Sequence, residues 1–70
     1  MNLKLNAHTP KGTFGVVTNK VESGLYAAAV MYQAGGNAEH HVVYGETEQQ
    51  AVADLQNWCQ QAFGQPSEIR

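Results

Sequence analysis

Seventy residues allow one hydrophobic core and exclude two, because a domain of this size buries only about 60% of its unfolded surface. Hydrophobic residues make up 43% and charged residues 14%, which excludes a disordered chain and predicts a surface low in charge. A net charge of −2 with four basic residues supplies little phosphate neutralisation and argues against nucleic acid as a partner, while six carboxylates are too sparse for a mimic of DNA.

The single cysteine, Cys59, excludes an intramolecular disulfide and points to a reducing compartment. The N-terminal residues lack the apolar run of a signal peptide, and no stretch approaches the roughly 20 apolar residues that span a bilayer. The expectation is a cytoplasmic protein with no membrane contact.

In chain order, Leu3, Leu5 and Ala7 alternate with polar residues, which predicts an N-terminal strand ending in the turn His8-Thr9-Pro10-Lys11-Gly12. Thr13–Val21, Leu25–Gln33 and Ala38–Tyr44 are rich in Val, Tyr, Phe and Thr. They are separated by Glu22-Ser23-Gly24 and Gly35-Gly36-Asn37, a pattern that predicts a meander, with Gly15 a candidate bulge. Thr47 is a good N-cap with Gln50 three residues on, and Glu46 and Glu48 lie near the positive helix terminus. The helix is expected to run to about Phe63. Its apolar residues Ala51, Val52, Leu55, Trp58, Cys59, Ala62 and Phe63 fall in a stripe roughly 140° wide. Gly64 follows as the C′ residue, and Pro66 forbids continuation.

The expected class is therefore α+β: an antiparallel meander of three or four strands with one C-terminal helix on one face. Residues 1–63 form the domain, and 64–70 a flexible tail. Two layers leave one sheet face without a helix. In the third strand Leu25, Ala27, Ala29 and Met31 point one way and Tyr26, Ala28, Val30 and Tyr32 the other. The small-residue face suits close approach of the helix, so Tyr26 and Tyr32 are expected on the open face as a contact patch.

The residue types that carry chemistry are few. His40 and His41 are strand neighbours and point to opposite faces, so they cannot share one metal ion without distortion. His8 lies beside a turn with no cysteine or carboxylate at ligand spacing, and Cys59 falls inside the apolar stripe, where a thiol acts as a small hydrophobe. No glycine-rich phosphate loop is present, and Ser23 and Ser67 stand in turn and tail contexts without a nearby base. The expectation is a non-enzymatic domain with no cofactor and no metal. The outward helix face, Gln49, Gln50, Ala53, Asp54, Asn57, Gln60 and Gln61, carries no basic residue and suits polar contact with a protein.

Residues 25–63 resemble the strand-strand-helix core of HicB-type antitoxins, on the turn Gly45-Glu46-Thr47-Glu48 followed by Ala51, Ala53 and Leu55. The chain departs from that pattern in having no Pro-rich turn between the strands. The strand order is also similar to the C-terminal part of a double-stranded RNA-binding domain, but Glu46, Glu48 and Gln49 stand where that domain has phosphate-gripping lysines. By architecture the chain resembles small toxin-neutralising and phage-encoded inhibitor proteins. The resemblance implies a small inhibitor, antitoxin-like or anti-CRISPR-like, that blocks a host or mobile-element enzyme such as a nuclease complex by direct contact. The expected partner-binding residues are Tyr26, Tyr32, Glu46, Glu48, Asp54 and Asn57. Two alternatives are open: a weak nucleic-acid binder using Lys4, Lys11, Lys20 and the sheet aromatics, and a homodimer that pairs through the open sheet face.

Overall fold

The computed structural model describes residues 4–70. Its elements in chain order are β1 (Leu5–Thr9), β2 (Gly12–Lys20), β3 (Tyr26–Ala34), β4 (Asn37–Gly45), α1 (Glu48–Phe63) and β5 (Glu68–Ile69). The strands form one antiparallel sheet in the order β4-β3-β2-β1-β5, with α1 across one face. This is the expected α+β arrangement with a fifth strand added. Leu3, expected in the first strand, lies outside the described residues.

Local chemistry explains each corner of the meander. Thr9 closes the first turn, its hydroxyl donating to the Gly12 carbonyl at 2.8 Å and accepting from the Lys11 N–H at 3.1 Å. The β3–β4 turn is Gly35-Gly36, with φ of 59° and 83° at the two positions. That pair of left-handed conformations suits two glycines and twists a two-residue hairpin in the sense that the strands require. Gly15 is not a bulge: it pairs in register with Asn6, and the β1–β2 ladder runs through it without interruption.

The helix begins as its sequence predicts. The Thr47 hydroxyl accepts from the Gln50 N–H at 3.0 Å, and the Gln50 side-chain oxygen accepts from the Glu46 N–H at 3.0 Å. The first bond satisfies a backbone donor that the helix itself leaves free, and the second ties the residue before the cap to the first turn. At the far end Gly64 adopts φ 96° and its N–H returns to the Gln60 carbonyl.

The core is small: Ala7, Val16, Ala28 and Val30 from the sheet meet Ala51, Leu55 and Cys59 from the helix. Alanines on both layers allow close approach, and Leu55 is the largest side chain fully buried there. At one end Phe14, Tyr32, Trp58 and Phe63 extend this core as an aromatic cluster, with centroids from 5.0 to 6.5 Å apart.

Two expectations are corrected. Tyr26, Ala28, Val30 and Tyr32 face the helix, not the open side, as their place in and around the core shows. The parity follows from β1, whose Leu5 and Ala7 pair with Val16 and Phe14, while Val16 in turn pairs with Val30. Partners across a ladder share a face, so the apolar side of β1 commits the even-numbered residues of β3 to the core.

Nor is the segment 64–70 a flexible tail. It turns back along the edge of the sheet, where Asn6 and Arg70 exchange both backbone hydrogen bonds at 3.0 and 3.1 Å. The helix holds it from the other side: Gln56 Oε1 accepts from the Ile69 N–H, and Gln60 Nε2 donates to the Ser67 carbonyl. Ser67 is buried, its hydroxyl donating to the Gly64 carbonyl at 2.6 Å.

Two substitutions test this packing. A Cβ on Gly45 would sit 2.7 Å from the Ala51 nitrogen, backbone that cannot move without shifting α1. Gly45→Ala should therefore destabilise the fold by about 1–3 kcal/mol, and Leu55→Ala by about 2–5 kcal/mol, both read from urea unfolding midpoints. A melt unchanged by Gly45→Ala would show that the helix can lift from β4 at little cost.

Candidate functional site

The registers fix what the uncovered face of the sheet presents. In its middle row Val17 of β2, Ala29 of β3 and Val42 of β4 lie side by side. Asn19, Ala27 and Tyr44 form the next row, and Met31 pairs with His40 on the other side. The three large apolar residues that the described chain exposes, Val17 at 52%, Met31 at 41% and Tyr44 at 57%, all belong to this face. They form one surface because Ala27 and Ala29 of β3 lie between the larger residues of β2 and β4, with Met31 next on the same side of β3. The result is a shallow apolar trough floored by alanine.

Its electrostatics are simple. Along β2, β3 and β4 the open side carries Thr13, Gly15, Asn19, Gln33, Ala38 and His40 besides the apolar residues, and no carboxylate, ammonium or guanidinium group. The charged residues of those strands, Lys20 and Glu39, pair with Tyr26 and Tyr32 and so share the helix side. At the distant edge, beyond β1, exposed Glu68 and Arg70 approach to 3.5 Å.

The residues expected to bind a partner do not come together. Tyr26 and Tyr32 pack against the core beneath the helix. Glu48 is half-buried, its carboxylate 3.4 Å from the Thr18 hydroxyl, and Glu46 belongs to the capping turn. Asp54 and Asn57 are exposed on the back of α1, on the opposite side of the molecule from the open sheet face. The amide-rich appearance of the helix also has a structural origin in part, since Gln50 caps the helix while Gln56 and Gln60 hold the C-terminal segment.

The lysines are similarly dispersed. Lys11 and Lys20 stand near opposite ends of β2, and Lys20 lies 6.0 Å from the Tyr26 ring centroid on the helix side. Lys4 is exposed before β1. Tyr26 and Tyr32 lie beneath the helix, whereas the sheet aromatic Tyr44 is exposed on the open face.

His40 and His41 do point to opposite faces. His40 is exposed on the open side, and His41 stacks on Trp58 with ring centroids 4.0 Å apart and planes within 5°. Among the described residues no group of three or more His, Cys, Asp and Glu side chains is placed to hold a metal ion. A second concave region, about 600 Å³, opens beside the aromatic cluster, lined by Phe14, Tyr32, Trp58 and Phe63 with Lys11 at its margin. Those rings are packed against one another rather than spread around a vacant centre.

Compared with family models, curated proteins and solved structures, the chain has no match. No helix among the described residues is long and apolar enough to cross a membrane. The site is thus defined by its geometry, and the residues that sequence reasoning missed are Val17, Ala27, Ala29, Met31, Val42 and Tyr44. The signal that could have found them is the apolar-in, polar-out alternation of β1, carried through the hairpins by pairing.

Cys59 is fully buried against the sheet, and loss of solvation pushes its thiol pKa above the ordinary 9.0. A raised folded pKa means that the neutral thiol's contribution to stability is intact below 9.0 and declines as pH rises beyond it. Alkylation of the native chain at neutral pH should be at least about tenfold slower than in denaturing urea. Equal rates, measured by mass spectrometry, would place the thiol at the surface.

Proposed function

We propose that this chain is a non-enzymatic protein-binding module that docks a protein partner on the open sheet face. The observation that carries the reading is the apolar trough of Val17, Ala27, Ala29, Met31, Val42 and Tyr44, in which three large side chains remain 41% to 57% exposed. Apolar side chains gathered on one uncharged surface gain free energy when a partner removes them from water, at about 25 cal/mol per Å². Tyr44 and Met31 are also residue types that interfaces favour. The polar rim of Thr13, Asn19, Gln33 and His40 supplies hydrogen-bonding groups around the trough.

The finer form of the proposal is a small inhibitor that blocks a host or mobile-element enzyme by direct contact. Its support is the strand-strand-helix order of β3, β4 and α1, with the Gly45-Glu46-Thr47 turn that carries the resemblance to HicB-type antitoxins.

The experiment is capture of proteins from nuclease-treated bacterial lysate at high salt, followed by affinity measurement on variants. Val17→Glu and Met31→Glu should each weaken binding by at least about tenfold, since each places a charge in the desolvated centre of the contact. Their melting temperatures should stay within a few degrees of the parent. Asp54→Lys and Asn57→Ala, on the back of the helix, should leave affinity unchanged. Loss of binding in the helix variants with retention in the sheet variants would move the interface to α1.

A further inference from the structure

The free edge of the sheet carries information that its faces do not. β4 is an outermost strand, nine residues long, and it pairs with β3 without interruption from Asn37 to Gly45. In a two-residue hairpin the residues that flank the turn, here Ala34 and Asn37, exchange their backbone hydrogen bonds, and antiparallel pairs then alternate. Asn37, Glu39, His41, Val43 and Gly45 therefore direct their backbone groups at β3. Ala38, His40, Val42 and Tyr44 direct theirs away from the sheet, and no described residue receives them.

Protein sheets ordinarily blunt such an edge with lysine, proline, a bulge, shortness or a covering segment. β4 contains no lysine, no proline and no break in register. The opposite edge contrasts with it, since β5 has only two residues, one of them the charged Glu68, and is followed by Arg70.

We propose that β4 pairs antiparallel with β4 of a second copy of this chain, around a two-fold axis through His41, to make one continuous sheet. This goes beyond the docking reading and uses a different surface. The commitment to a second copy rests on self-complementarity. A register centred on His41 sets Ala38 opposite Tyr44 and His40 opposite Val42 of the second copy, so all four outward residues of each strand find partners. Glu39, the one carboxylate or cationic residue of β4, falls opposite Val43 of the second copy and diagonal to its His41. On the shared helix side the two His41 residues, each stacked on its own Trp58, oppose one another at the axis with a Glu39 carboxylate diagonal to each, and no two carboxylates are opposed. A two-fold perpendicular to the sheet keeps both helices on one side, so the two open faces join and remain accessible.

The test is sedimentation equilibrium over a wide concentration range, with residue-resolved amide exchange on the full chain. The expected result is a mass rising from 7.6 kDa to twice that value with concentration. Amides of Ala38, His40, Val42 and Tyr44 should gain protection in parallel, while those of Glu39, His41 and Val43 are protected throughout. His40→Pro removes an outward N–H that the monomer does not use, and it should raise the dissociation constant by about tenfold or more with unchanged circular dichroism. A mass of 7.6 kDa at every concentration overturns the proposal. So does a dimer in which the four outward amides gain no protection. If His40→Pro fails to fold, the exchange pattern of the parent chain decides by itself.

Discussion

Where α1 leaves β4, the Gly45 Cα lies so close to the backbone of Ala51 that a side chain there would come within 2.7 Å of its nitrogen. This approach, together with the Thr47 cap, sets the helix down directly on the sheet at the end of β4 instead of letting it project past the edge. From that anchor α1 runs over β3 and β4 toward the aromatic cluster, reaching β1 and β5 on its other flank. Ala28, Val30, Leu55 and Cys59 are buried because the helix is seated at this height. A longer separation would leave gaps that alanines cannot fill.

One helix has one apolar stripe, and a two-layer fold gives it one sheet face to cover. The other face retains its apolar residues in contact with water, which is where Val17, Met31 and Tyr44 lie. The meander likewise closes neither of its edges by barrel formation, so β4 keeps a row of outward backbone groups. Both surfaces thus arise from the same economy of elements. They are separable because one uses side chains perpendicular to the sheet and the other uses backbone groups within its plane.

The C-terminal segment shows how side chains can make a strand that its own sequence does not announce. Two residues cannot carry an alternation pattern, and Pro66 nearby signals a loop. What orders the segment is a pair of glutamines one helical turn apart, Gln56 and Gln60, whose amides reach its backbone while Asn6 pairs with Arg70. Polar residues on a helix flank can therefore be structural even when their types suggest a solvated or partner-facing surface.

Sequence alone determined the four-strand meander, the helix and their order, because the evidence for each is local. Thr47 and Gln50 mark the helix start, Gly64 its end, Gly35 and Gly36 a hairpin, and the opposite directions of His40 and His41 follow from strand geometry. It also placed Cys59 in the core, since the apolar stripe of α1 is unambiguous. Only the tertiary structure decided which face of β3 the helix covers and hence which residues make the open surface. That strand is apolar on both sides, so its own alternation is silent, and a shift of one position exchanges Tyr26 and Tyr32 for Ala27, Ala29 and Met31. The choice is made at a distance, by the polar Asn6 and His8 of β1 transmitted through two ladders of pairing.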